Sequence, residues 1–204
     1  LKRPETFLSD YRRLVDHCVE SRFNGVVVWG FLRDTHGGEV FADQVARYAR
    51  DRGVSYVITM DAGLTHKPEE LPRFLEYPEC DLVIGVRTKT ENVPLYRRLI
   101  SRTGTFLMNL ALQPGRGLLN GQRLKDATSG YRRFSRRAVE LLLSRRLKAK
   151  AFDFHTESLA LILRNGLSVG QVPISYEFST SSFNLRVLRA GIRMYLDLVL
   201  TGRK

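Results

Sequence analysis

Cysteine is scarce: Cys18 and Cys80 stand far apart in 204 residues, without metal-ligand spacing. That excludes a disulfide framework and a thiolate zinc site, and fits a reducing compartment. No apolar run has the length needed to span a bilayer, and no signal peptide is visible. The first residue is Leu1 rather than Met, which leaves room for a longer chain. The four histidines (His17, His36, His66, His155) lack zinc spacing. Phosphate-loop and nucleophile-elbow signatures are missing, and Gly115-Arg116-Gly117 follows a helix, so it is no dinucleotide loop. Acids are short as well. Twenty-one Asp and Glu face 33 Lys and Arg, a net charge of +12. Such an excess attracts polyanions, whether nucleic acid, anionic lipid or phosphorylated substrate, without choosing among them. No nucleic-acid motif accompanies it.

What is present is a folded-domain pattern, 43% hydrophobic, without repeats or low-complexity linkers. Residues 4–21 and 40–50 read as helices, with Val26-Val27-Val28-Trp29 as a buried strand between them. A strand over 55–60 follows, then a helix opening at Pro68-Glu69-Glu70 and a strand over 82–86. Pro94 opens a long helix with Leu95, Leu99, Phe106 and Leu110 on one side and Arg97, Arg98 and Arg102 nearby. Residues 113–125 form a Gly-rich loop. Helices over 136–146 and 156–165, a strand over 168–176 and a basic helix from 184 complete the chain. Alternating strands and helices predict an α/β sandwich with a mostly parallel sheet.

Three segments carry chemistry. Tyr56-Val57-Ile58-Thr59-Met60-Asp61 delivers a carboxylate to the tip of a buried strand, where α/β proteins place ligand or metal contacts. Asp126-Ala127-Thr128-Ser129-Gly130-Tyr131-Arg132 and Phe152-Asp153-Phe154-His155-Thr156-Glu157 are the others. In this order and spacing, over roughly residues 37 to 200, they resemble the GT-A glycosyltransferases of family 2. The dolichol- or polyprenyl-phosphate mannosyltransferase branch is the nearest likeness.

The resemblance implies a GT-A, Rossmann-like sandwich and sugar transfer from a nucleotide donor to a polyprenyl or dolichyl phosphate by inverting displacement. Asp61 would hold a divalent metal (Mg or Mn) against the leaving diphosphate, weakened because Gly63 replaces the family's second acid. Thr65 and His66 are secondary polar contacts. Asp126 would bind sugar hydroxyls or orient Arg132, and Ser129 would supply a hydroxyl. Gly130 would give close backbone approach or a positive φ. Arg132 and Arg87 would clamp phosphates, with Arg102 as a further ligand. Glu157 would serve as a base or accept a sugar hydroxyl, with Asp153 and His155 beside it; a lipid-phosphate acceptor, already anionic, needs no base. For the box, the plain alternative is a turn entering a helix.

Residues 1–183 are expected to form the transferase-like domain and 184–204 a basic amphipathic helix. Leu185, Leu188, Ile192, Tyr195, Leu196 and Val199 lie on one stripe of it, and Arg186, Arg189 and Arg193 on another. Such a helix suits a membrane interface, with Ser182 and Arg186 near the lipid phosphate; a helix packed on the body shares the pattern. The family's opening strand and its Pro-x-Tyr-Asn-Glu segment are not found, and Asp34 is a weak substitute, so the first nucleotide-binding strand is expected to be missing or diverged. The expected partners are GDP-mannose or UDP-glucose, polyprenyl or dolichyl phosphate and a membrane surface, with a cytoplasmic, peripherally membrane-bound location. The competing reading is a degenerate, non-catalytic glycosyltransferase-like module that binds anionic lipid or a partner protein. A basic nucleic-acid-binding domain is a more distant third.

Overall fold

The computed structural model describes residues 12, 13, 16, 25–29, 47, 48, 50–60, 65–111, 123–145, 147, 153–177, 189, 192, 193, 195 and 196, with only the backbone for 25–29 and 153. The described strands are β1 (Gly25–Trp29), β2 (Tyr56–Met60), β3 (Leu82–Glu91), β4 (Arg132–Ser135) and β5 (Val169–Glu177). The helices are α1 (Leu71–Leu75, after a 3-10 turn over Pro68–Glu70), α2 (Leu95–Ala111), α3 (Arg136–Ser144) and α4 (Asp153–Arg164). The strands make one five-stranded sheet in the order β1-β2-β4-β3-β5. β1 pairs parallel to β2, and β3 parallel to β5. β4 runs antiparallel to β2 and to β3 between them. Four strands therefore share one direction and one is reversed, as a mostly parallel sheet requires.

Both faces of the sheet are covered, so its strands read as apolar runs rather than alternations. Val57, Leu82, Ile84 and Phe134 pack with Leu159, Ile162, Leu163, Ala138 and Met108 under α2, α3 and α4. Ile58, Val83, Val172 and Ile174 pack on the other face with Phe74 of α1. At Gly85 a Cβ would come 2.8 Å from Ile174 Cδ1 and 2.9 Å from Phe74 Cζ, so the sheet admits only a hydrogen there. Asp81 joins three strand ends. Its carboxylate accepts from Ser135 Oγ at 3.1 Å and from the Ser168 N–H at 2.9 Å and hydroxyl at 3.0 Å.

Helix ends follow local chemistry. Ser135 caps α3 by accepting from the Ala138 N–H at 3.1 Å. Gly166 (φ 71°) ends α4, with Leu167 N–H donating to Ile162 O and Gly166 N–H to Leu163 O. β3 runs five residues beyond the expected 82–86, because its polar half still pairs with β5 across an irregularity between Arg87 and Lys89. β4 was not expected at all. Four residues headed by two arginines carry no strand alternation, and pairing on both edges makes the strand. The helix expected over 4–21 and the boundary at 183/184 lie mostly or wholly outside the described residues. Among the described residues, no helix is long and apolar enough to cross a membrane.

Candidate functional site

The box 126–131 reaches its place through β4. Thr59, next to last in β2, is in register with Arg132, and its hydroxyl donates to Gly130 O at 2.9 Å. On the other edge the Gly85 N–H donates to Tyr131 O at 2.9 Å. The box therefore lies beside the C-terminal end of β2 and the middle of β3, the edge where open α/β sheets hold ligands.

Its centre is a bidentate ion pair. Arg87 Nε donates to Asp126 Oδ2 at 2.6 Å and Nη2 to Oδ1 at 2.8 Å. Nη2 also reaches Thr128 Oγ1 at 2.6 Å and Ser101 Oγ at 2.9 Å. Thr128 binds Asp126 Oδ1 in return, through its N–H at 3.1 Å and its hydroxyl at 3.0 Å. The Arg87 guanidinium lies 5.2 Å from the Tyr176 ring centroid. Asp126 is 8% exposed and Arg87 20%, so the carboxylate is enclosed while the cation reaches the surface. Burial alone would raise the Asp126 carboxyl, but the hydrogen bonds and charge of Arg87, with Thr128, outweigh it and hold it below the usual range.

Arg132 proves different from the phosphate clamp expected of it. Its guanidinium is fully buried and serves the protein's own acceptors: Ser129 O at 2.8 Å, Ala127 O at 2.8 Å, His155 O at 2.6 Å and Ser158 Oγ at 3.2 Å. A planar five-donor fork suits this task, tying the box to the start of α4. Burial lowers its pKa to about 9, against the pull of Asp126. Arg133 points to the opposite face and is equally buried, donating to Phe74 O at 2.7 Å and to Tyr77 O and Pro78 O at 3.1 Å. It closes the C-terminal end of α1, where free carbonyls favour a cation.

Around these lie His155 and His66, both buried. Burial, then Arg132, His66 and Arg87, drive His155 well below its ordinary pKa, so it is neutral at physiological pH. His66 packs among aromatics, 5.2 Å from Tyr131 and 5.7 Å from Tyr176 between ring centroids. Burial first, then Glu70 and Glu69, push the Tyr131 phenol up to about 12. Among the described residues, the buried hydroxyls of Thr65, Ser129 and Tyr131 have no hydrogen-bond partner. An unmet buried hydroxyl costs roughly 1–3 kcal/mol, which a polar ligand or water at this edge would relieve.

The structure thus gathers Arg87, Asp126, Ser129, Gly130 and Arg132, and adds Ser101, Thr128 and Tyr176, which sequence reasoning passed over. Gly130 does not use a positive φ; among the described residues only Gly53 and Gly166 do so among glycines. Glu157 is half-buried on α4, two residues past His155. Arg102 lies exposed on α2, and it is the preceding Ser101 that reaches the pair. Asp61, Ser182 and Arg186 lie outside the described residues, and for Asp153 only the backbone is described. Among the described residues no three His, Cys, Asp or Glu side chains gather as a metal site, and the Asp126 carboxylate is engaged by Arg87.

No protein-family model matches the chain. It is 31% identical over 149 residues to the undecaprenyl-phosphate mannosyltransferase of Micrococcus luteus, 71% of this chain and 57% of that protein. It is 31% identical over 131 residues to the polyprenol monophosphomannose synthase of Mycolicibacterium smegmatis, 61% of this chain and 46% of that one. With the UDP-N-acetylglucosamine–dolichyl-phosphate N-acetylglucosaminyltransferase of Methanococcus voltae the identity is 30% over 133 residues, 62% of this chain and 49% of the other. The chain spans about half the length of these curated relatives. Among solved structures, the glucosyl-3-phosphoglycerate synthase of Mycobacterium tuberculosis in complex with UDP overlays 87% of this chain and 68% of that one, at 18% identity and a TM-score of 0.48. By sequence, the chain is a homologue of the family 2 polyprenyl-phosphate glycosyltransferases.

Proposed function

We propose that the protein transfers a sugar from a nucleotide-sugar donor to a polyprenyl or dolichyl phosphate. The observation that carries this reading is the Arg87–Asp126 pair. A guanidinium that keeps a fifth of its surface open while a buried carboxylate fixes its orientation is preorganised for phosphate oxygens. The names of the relatives supply the chemistry at each end: prenyl phosphates as acceptors and, in one of them, a UDP-sugar as donor. In the reaction, an acceptor phosphate oxygen attacks the anomeric carbon, its bond to the diphosphate breaks, and the configuration inverts. The acceptor is anionic at neutral pH, so no proton must be removed from it. Glu157 is then left to accept a sugar hydroxyl rather than to act as a base. Neutral His155 and the hydroxyls of Thr65, Ser129 and Tyr131 offer polar contacts without adding charge. A divalent cation at Asp61, neutralising the diphosphate, belongs to this reading as an expectation from the sequence. So does a peripheral seat on a membrane, through the helix over 184–204.

The test is calorimetric titration with GDP-mannose and UDP-glucose, with and without Mn²⁺, followed by transfer of labelled sugar to polyprenyl phosphate. Binding of one donor with transfer to the lipid, and loss of transfer by roughly 100-fold or more in Arg87→Ala, is the expected result. A folded protein that binds neither donor would reject the transferase reading for this chain and favour the lipid-binding module.

A further inference from the structure

The hydrogen bonds that orient Arg87 lie along one edge of its guanidinium. Asp126, Thr128 and Ser101 are all reached from the Nε–Nη2 side. Bonds along one edge fix the planar fork within its plane, yet the plane can still tilt about that edge. A contact on the face opposes such tilting, and Tyr176 supplies one: Arg87 Cζ stands over its ring, 5.2 Å from the centroid. The choice of an aromatic ring matters chemically. A second carboxylate would hold the cation too, but it would consume N–H donors and cancel the charge that a phosphate needs. A ring face does neither, because it stacks on the guanidinium plane and leaves the in-plane donors to their partners.

The strands bring the ring there by their register. Arg87 is level with Ile174 on β5, and Tyr176 follows two residues on, on the same face of that strand. β3 then carries one extra residue, Thr88, at the irregularity between Arg87 and Lys89, so Thr90 rather than Lys89 stands level with Tyr176. The Thr88 hydroxyl donates to Ile174 O at 3.3 Å and pins this bulge, a device that re-aims neighbouring side chains. From the other side, Tyr176 bridges antiparallel to His66, and the Glu177 N–H donates to Thr65 O at 3.4 Å. The rings of His66 and Tyr176 meet in an edge-to-face arrangement, 5.7 Å between centroids. The tyrosine is thus fixed by the segment that follows the tip of β2, while its ring lies on the cation of β3.

We infer that Tyr176 is a positioning residue whose ring face holds the Arg87 guanidinium at the tilt that receives a substrate phosphate. The role rests on the phosphate chemistry proposed above, but the hold of the ring on the arginine is independent of it. It demands an aromatic face at position 176, which an aliphatic side chain does not provide.

Three variants separate this role from ordinary packing. Tyr176→Leu keeps apolar bulk, Tyr176→Phe keeps the ring, and Arg87→Gln removes the cation while its amide can still bond Asp126. Thermal unfolding confirms that each is folded. The Arg87 Nε–H resonance, identified by its loss in Arg87→Gln, is followed by NMR during titration with inorganic pyrophosphate, so anion binding elsewhere on a basic surface is not counted. In the wild type the ring current of Tyr176 should displace this resonance, and pyrophosphate should shift it further. Tyr176→Leu should lose the ring-current displacement, weaken pyrophosphate binding about tenfold and lower kcat for sugar transfer by a similar factor. Tyr176→Phe should recover most of each loss. With Arg87→Gln in place, Tyr176→Leu should cost no further transfer activity. Pyrophosphate affinity and transfer unchanged in Tyr176→Leu would overturn the proposal. So would Tyr176→Phe as impaired as Tyr176→Leu, or an equal further loss in the Arg87→Gln protein, which would mark Tyr176 as a packing residue. A wild type whose Arg87 resonance ignores pyrophosphate would overturn it as well. Resonances and binding that follow the expected pattern in a protein that transfers no sugar would reject the transferase reading alone.

Discussion

Asp126 keeps its charge inside the protein because Arg87 is beside it, and this makes the pair a pH-dependent brace. Its folded carboxyl holds a proton less readily than the unfolded one. The stability it adds is therefore present above the unfolded value of about 3.9 and is lost as pH falls through the folded value. His155 acts in another window. Its pKa is depressed on folding, so its stability is complete above the unfolded value of about 6.5 and declines as pH drops below it. Urea midpoints across pH 3 to 8 should show both declines. His155→Gln should flatten the upper one, and Asp126→Asn the lower. At neutral pH, Asp126→Asn should itself cost about 3 kcal/mol, the low end for breaking a buried pair because Arg87 retains some solvent. Arg132→Lys should be worse tolerated than its chemistry suggests, losing about 3 kcal/mol or more in thermal unfolding. A lysine keeps a buried charge but cannot serve the carbonyls of Ala127, Ser129 and His155 together. The sequence named Arg87, Asp126 and Arg132 as residues of interest but not which was buried. A motif records residue type, whereas burial is decided by the sheet around it. The one available signal was that Arg132 and Arg133 are adjacent, so in any strand one of them must point into each covered face.

At the scale of elements, β2, β3 and β5 were legible as strands and α3 and α4 as helices, which the structure opens at Ser135 and ends at Gly166 respectively. β4 was not, because both of its ladders join residues about fifty or more apart in sequence, and no local pattern announces them. The orientation of α2 was equally hidden. An apolar stripe is read inward by default, and only its contacts reveal that Ser101, Thr105 and Asn109 face the body. That arrangement makes Asn109 more important than a half-buried amide usually is. Asn109→Leu keeps the volume but strands the Leu124 N–H and C=O. It should destabilise by about 2 kcal/mol and speed hydrogen exchange at the Leu124 amide, whereas Leu110→Ala, at an exposed position, should change stability by less than about 0.5 kcal/mol.

For the whole molecule, the charge of +12 sets a field that attracts anions, and in the proposed function the ion pair at β3 is where that field acts on a phosphate. Binding a sugar nucleotide to the folded form alone should raise the melting temperature with ligand concentration, and should do so less in 0.5 M salt than at low salt; a shift insensitive to salt would mean that the arginines play no part. The reversed strand has a consequence for how this molecule comes into being. β1 with β2 and β3 with β5 are two separate pairs, and β4 alone joins them. During synthesis the first pair emerges early, yet β3 has no link to it until residue 135 has left the ribosome, and β5 adds to the free edge of β3 last. The box 126–131 emerges just ahead of that strand, so the segment that organises the site is continuous with the clasp that joins β3 to the first pair. Random mutagenesis scored by activity alone would therefore mistake assembly defects there for chemistry, and a library aimed at new substrates should vary residues flanking the box and leave the clasp intact.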